Sequence, residues 1–176
     1  MRRAVLPLLL VLGCSHAPAP SSTASAQGPG LALTEGTVTG LTLKTYPQGT
    51  PHSFADDRGH VVVIDAWATW CDPCQRSLPL LHALQKRFAA QGLLTYAVSI
   101  DARAADIPGF LARTPITLPI LLDAEGEALQ SRLGLRGMPT TWVLDRTGKV
   151  RARHEGFEGD LDALQADVER LLAEPR

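Results

Sequence analysis

The spacing of hydrophobic positions changes period several times along the chain, and each change marks an element. Val61-Val62-Val63-Ile64 is a continuous β-branched run of the kind that a strand covered on both faces needs. Just beyond it, Leu78, Leu81, Leu84 and Phe88 recur at helical spacing, and Gly92 follows as a stop. Leu93 to Ile100 then reads as a second strand, closed by Asp101. Ahead of the central run, Leu41 to Thr45 alternates as a strand, Pro47-Gln48-Gly49 turns, and Asp56 to Gly59 is a polar turn. Downstream the pattern predicts a short helix over 104–113, a strand over 118–122, a helix over 125–133 and a hairpin of strands over 140–144 and 149–154. Asp160 stands as N-cap of a last helix whose Leu161, Leu164, Val168, Leu171 and Leu172 share one face. Strands and helices alternate through the middle, and a hairpin plus helix closes the chain. The expected class is α/β, a mixed central β-sheet flanked by helices on both faces.

Where the central strand hands over to its helix, the chain reads Asp65-Ala66-Trp67-Ala68-Thr69-Trp70-Cys71-Asp72-Pro73-Cys74. Cys71 falls near the helix N-terminus, where unpaired N–H groups and the helix dipole favour negative charge. A thiolate is the nucleophile of disulfide exchange, and such a position lowers a cysteine pKa below its free value of about 8.5. Cys74, one turn further on, can attack a mixed disulfide on Cys71 and release the product. As a structural staple the pair would be poorly placed, since a four-residue loop contributes about 1.9 kcal/mol against about 3 for a fifteen-residue one. As a zinc half-site it lacks a second CxxC or Cys/His pair, so no metal is expected. His52, His60, His82 and His154 show no ligand spacing and are assigned solvated or packing roles. Redox chemistry is the reading that uses both cysteines.

Asp65-x-Trp67-x-x-Trp70-Cys71-x-Pro73-Cys74 resembles the active-site signature of thioredoxin. A second marker, Gly137-Met138-Pro139-Thr140-Thr141-Trp142-Val143-Leu144-Asp145 followed by Gly148-Lys149-Val150, is similar to the cis-proline loop and hairpin of the same fold. From about Leu41 to Leu172 the chain resembles the exported, membrane-tethered thioredoxin-like proteins of the TlpA/ResA type. The excess length around Asp101 to Pro119 resembles the strand–helix insertion of that branch. The resemblance implies a cis Met138–Pro139 bond, with the Met138 backbone beside Cys71 and free to pair with an extended substrate. It also implies that Asp65, at the end of a buried strand, accepts a proton from Cys74. Desolvation would raise the pKa of this acid into a useful range. ResA-type proteins carry Asn at position 65 and Glu at position 77, where this chain has Asp65 and Ser77, so substrate selection tied to that Glu does not carry over.

The remaining site residues follow from this frame. Gly137 and Met138 form the substrate loop with Pro139, and Trp70 is expected on the apolar docking rim. Trp67 is expected half in the core and half on the rim. Pro73 supplies no N–H and suits the first helical turn. Asp72 opposes the helix dipole beside the nucleophile, which predicts a moderately acidic Cys71 and a reducing couple. Pro79 repeats the mid-helix proline of thioredoxin.

Met1-Arg2-Arg3 is a basic head, and Ala4 to Leu12 is an apolar run too short for a spanning helix of about 20 residues but suited to a signal peptide. Val11-Leu12-Gly13-Cys14 resembles the bacterial lipobox, which implies cleavage after Gly13 and lipidation of Cys14. His16 to Gly30, rich in Pro, Ala, Ser and Gly, reads as a flexible tether spanning roughly 20–25 Å as a coil. The organisation is thus a leader over 1–13, a tether over 14–30 and one thioredoxin-like domain over 31–176. Without Arg2 and Arg3, the 17 basic residues become 15 against 18 acidic ones, a formal charge of −3. Nothing in that balance suggests a nucleic-acid partner.

Together these readings predict a monomeric, lipid-anchored thiol–disulfide oxidoreductase on the periplasmic side of a bacterial membrane, with no cofactor. Its partners would be substrate proteins bearing disulfides and a membrane electron donor, and resemblance suggests reduction in cytochrome c maturation or a related pathway. Within enzymes the alternative is an oxidase or isomerase. A copper-handling module of the Sco type would space its cysteines three apart, and a peroxiredoxin would need a Thr-to-Cys peroxidatic motif that this sequence lacks.

Overall fold

β3 (Val61–Trp67) is buried along its whole length, as its β-branched run requires. Side chains alternate across a strand, so Val61, Val63 and Trp67 enter one packed layer while Val62, Ile64 and Ala66 enter the other. The computed structural model describes residues 37–175, so the leader, the tether and Cys14 lie outside the described residues. Before β3 come β1 (Thr42–Tyr46) and β2 (Pro51–Ser53). After it come α1 (Asp72–Phe88), β4 (Leu93–Ser99), α2 (Ile107–Leu111), β5 (Ile120–Leu122), α3 (Glu127–Leu133), β6 (Thr140–Leu144), β7 (Val150–Glu155) and α4 (Asp162–Ala173).

The strands form one sheet in the order β2-β1-β5-β4-β3-β6-β7. β4 runs parallel to both β3 and β5, and the other pairings are antiparallel, which makes the sheet mixed as expected. One face is covered by Leu78, Leu81, Leu84 and Phe88 of α1, Phe110 of α2, and Leu164, Val168 and Leu171 of α4. The opposite face is covered by Leu129 and Leu133 of α3 together with Val38, Leu41 and Phe54. Residues 101–119 contain α2 and lead to β5, which inserts between β4 and β1.

Three local expectations change. β2 was not foreseen, because Pro51-His52-Ser53 has no apolar alternation. It is held by its pairing with β1, Leu43 opposite His52. The predicted helix over 104–113 is a 3₁₀ turn at Ala104–Asp106 running into the shorter α2, with Pro108 in its first turn. The N-cap of α4 is Leu161 rather than Asp160. Asp160 sits one residue earlier and still accepts the Asp162 N–H at 3.1 Å, giving that orphan donor a partner from outside the cap position.

The two-sided burial makes a direct prediction within α1. Leu78 is fully buried, whereas Leu80 is 40% exposed. Leu78→Ala should lower unfolding stability by about 2–5 kcal/mol, the usual cost of emptying a core leucine site. Leu80→Ala should cost well under half as much, as read by urea denaturation of the two variants side by side.

Candidate active site

α1 starts where β3 releases the chain. Cys71 is its N-cap, in extended backbone (φ −93°, ψ 96°), and Asp72 and Pro73 are its first two residues. Proline costs nothing there, since its missing N–H would have had no partner inside the helix. Cys71 and Cys74 are joined as a disulfide with their Cα atoms 5.3 Å apart. The Cys74 N–H donates to Cys71 Sγ at 3.3 Å, so a free donor of the helix's first turn points at the leading sulfur. Cys71 is 6% exposed and borders a cavity, whereas Cys74 is fully buried. Of the two sulfurs, only the one at the cap is within reach of a partner.

The segment before Cys71 is clamped by Asp101, whose expected place was only the end of a strand. Both carboxylate oxygens of Asp101 accept the Thr69 N–H at 3.1 Å. Oδ1 also accepts the Thr69 hydroxyl at 2.8 Å, and Oδ2 accepts the Ser99 hydroxyl at 2.9 Å. A buried carboxylate satisfied this fully is a rigid clasp. The parallel register explains the meeting, because Trp67 lies opposite Ser99 and the Ile100 N–H donates to the Trp67 carbonyl at 2.9 Å. Register is a tertiary property, so no local pattern announced the Thr69–Asp101 pair. An acid directly after a buried parallel strand was the available hint.

Facing Cys71 is the loop before β6. The Met138–Pro139 peptide is cis, as the resemblance implied. The Thr140 hydroxyl pins this loop by donating to the Gly137 carbonyl at 2.7 Å, and the Pro139 carbonyl accepts the Gly156 N–H at 2.8 Å. Among the described residues, the Met138 N–H and C=O make no backbone hydrogen bond. Trp70, Cys71, Pro73, Gly137 and Met138 together border a cavity of about 600 Å³, with Ile100 and Leu135 adding to its apolar wall. Trp70 is 67% exposed and forms the rim, as expected. Trp67 does not. Its position continues the inward phase of β3, so it is wholly buried, with its ring 4.6 Å from that of Phe110.

Asp65 shares the phase of Val63 and Trp67 and is therefore directed into the layer that holds α1 and Cys74. It is fully buried, and burial pushes its carboxyl up to about 7, with a hydrogen bond from Thr141 pulling the other way. The Thr141 hydroxyl donates to Oδ1 at 2.6 Å, and Oδ2 has no partner among the described residues. β3 and β6 pair Asp65 directly with Thr141, which fixes this contact. Ser77 is buried in α1, and its hydroxyl donates to the Cys74 carbonyl at 3.3 Å. Ser77, Pro139 and Thr141 line a second cavity of about 180 Å³.

Three of the described histidines have definite side-chain partners, while His60 is exposed to solvent. His52 meets Asp57 at 3.0 Å, His82 meets Thr117 at 2.7 Å and His154 meets Asp167 at 3.1 Å. No group of three or more His, Cys, Asp or Glu side chains is placed to hold a metal among the described residues.

Comparison with known proteins gives this geometry a context. The Redoxin family model matches residues 17–171. The thiol-disulfide oxidoreductase ResA of Geobacillus thermodenitrificans is 33% identical over 104 residues, 59% of each chain. The ResA of Geobacillus kaustophilus is 31% identical over 125 residues, covering 71% of this chain and 68% of that one. Among solved structures, the crystal structure assigned as a thiol:disulfide interchange protein DsbE of Chlorobium tepidum superposes with a TM-score of 0.73 at 33% identity. It covers 81% of this chain and all of that one.

The buried acid carries a pH signature. Its native carboxyl titrates near 7 rather than near 3.8. The native state therefore binds the extra proton between those values, and stability falls as pH rises through that window. Above pH 7 the ionised carboxylate is unfavourable by roughly 4 kcal/mol, at about 1.4 kcal/mol per pKa unit. Asp65→Asn keeps an oxygen for Thr141 and removes the charge. Measured by denaturant unfolding, it should exceed the wild type in stability at pH 8, with the gap shrinking toward pH 4. A gap that does not change with pH would contradict a raised carboxyl.

Proposed function

Because this chain belongs to the Redoxin family, we propose that it is a thiol–disulfide oxidoreductase that reduces disulfides of other proteins through Cys71 and Cys74. The observation that carries the reading is the placement of the two sulfurs: Cys71 caps α1 at the edge of a large cavity, and Cys74 lies sealed behind it. The substrate strand lies along the Met138 backbone, whose N–H and C=O supply the pairing groups of an added strand.

In the reduced enzyme the Cys71 thiolate attacks one sulfur of a substrate cystine. That S–S bond breaks, a Cys71–substrate bond forms, and the departing substrate sulfur leaves as a thiolate that takes a proton from solvent. Asp65 then accepts the Cys74 proton, and the Cys74 thiolate attacks the Cys71 sulfur. The second substrate sulfur leaves, and the Cys71–Cys74 disulfide remains. Two electrons pass from enzyme to substrate. With a carboxyl titrating near 7, Asp65 is matched to this transfer at neutral pH.

The setting belongs to the same proposal. Residues 1–13 direct export, Cys14 carries lipid, residues 14–30 form the tether, and residues 31–176 form the catalytic domain on the periplasmic side of a bacterial membrane. There a membrane donor returns the disulfide to the dithiol. Cytochrome c maturation or a related envelope disulfide pathway is the proposed setting, supported by the family resemblance and by relatives named ResA and DsbE.

Insulin reduction coupled to dithiothreitol tests the chemistry. Cys71→Ser should fall to the uncatalysed rate. Cys74→Ser should lose turnover and accumulate mixed disulfides that a reductant releases. Activity retained in Cys71→Ser would remove the nucleophile assignment. The anchor has its own test in the full chain expressed in a bacterium: the wild type should partition into detergent with a lipid mass increment, and Cys14→Ser should do neither.

A further inference from the structure

The cavity beside Cys71 has a charged side as well as an apolar one, supplied by Asp72, Glu125 and Arg136. Two carboxylates against one guanidinium leave it net negative. None of these three side chains has an ion-pair or hydrogen-bond partner among the described residues. Asp72 is bound to its place by the cysteine spacing. Glu125 is placed by the turn that enters α3.

That turn is demanding. Glu125 has φ 60° and ψ 5°, and among the described residues it is the non-glycine residue in the left-handed region. Its neighbour Gly126 is also left-handed (φ 72°), where a side chain would be strained, and a Cβ there would press on Leu135 Cδ2 at 3.1 Å. The turn is held without the Glu125 side chain: Asp123 accepts the Ala128 N–H at 3.0 Å and the Leu129 N–H at 2.8 Å, and the Ile100 carbonyl accepts the Glu125 N–H at 3.1 Å. Glycine would meet the backbone requirement at 125 with less strain. A long carboxylate stands there instead, exposed at the wall of the cavity and bonded to nothing that would explain it.

We infer that Glu125 is a specificity-determining residue for the thiol–disulfide exchange proposed above, selecting polypeptides that carry a lysine or arginine side chain beside the reacting cystine. The inference rests on that proposed activity. The apolar wall formed by Trp70, Ile100, Leu135 and Met138 takes the uncharged part of the substrate, and Glu125 pairs with its cation. Being a rim charge in contact with water, it acts mainly on the encounter rate and in a salt-dependent way.

The test uses the full chain in detergent micelles, with Cys71 and Cys74 reduced, and a set of short peptide disulfides identical except for Lys, Ala or Glu next to the cystine. The readout is the second-order reduction rate, expressed as the Lys/Ala and Glu/Ala ratios. At low salt the wild type should give a Lys/Ala ratio of about 2–5, the range of a single exposed ion pair, falling toward 1 as salt is raised. Glu125→Gln should bring the low-salt ratio toward 1, and Glu125→Lys should invert it in favour of the Glu peptide. Glu125→Gly suits the left-handed backbone, and it should lose the ratio while remaining at least as stable as the wild type, which separates the carboxylate from the shape of the turn. A wild-type ratio of 1 at low salt, or a ratio left intact in Glu125→Gln, overturns the inference. A wild type that reduces none of the peptides would instead overturn the activity itself.

Discussion

The covering of β3 on both faces constrains everything else in the molecule. A strand with apolar layers above and below can release its chain to solvent only at its end, and here β3 and β4 end side by side because they run parallel. Polar groups that the core cannot accommodate gather at that end. Asp101 closes over Thr69, the chain turns, and the unpaired donors at the start of α1 meet a sulfur. Ligand sites in open α/β sheets commonly lie beyond the carboxyl ends of parallel strands for this reason. The reactive pair is thus a product of the sheet's topology as much as of the CxxC spacing.

The same covering explains what a reader of the sequence alone could and could not see. β3, α1 and α4 were legible because each buries a regular face, and periodicity reports burial directly. β2 was not, since three residues without alternation are held only by their neighbour. Within the site, Cys71, Cys74 and Met138-Pro139 were visible as wording, and the structure brings Cys71 and Met138 to one cavity. The Asp101 clasp was invisible because it depends on which residue of β4 stands opposite Trp67. Trp67 and Trp70 look alike in the motif, yet counting by twos from Val61 through Val63 and Asp65 already places Trp67 inward. Glu125 gave no signal at all, because a left-handed backbone is normally announced by glycine or asparagine.

Two acids close to the redox pair show how position sets the character of one functional group. Asp65 lies inside the layer of α1 with one oxygen satisfied and one not, so its charge is costly and its proton is held to neutral pH. Asp101 is almost as deeply buried but accepts hydrogen bonds on both oxygens, which makes it an architectural group. At position 77 a serine bonds back to its own helix. In the proposed exchange the proton chemistry of the pair would fall to one carboxyl, Asp65.

The complete enclosure of Cys74 has a consequence for traffic through this molecule. In the exchange proposed above, electrons would enter and leave through a single doorway, the cap sulfur, so that a donor and a recipient would have to call there in turn. A pair reached through one sulfur would hold one partner at a time, because Cys71 can form a single mixed disulfide. Under that proposal the pair would work as an airlock, opening to one side at a time.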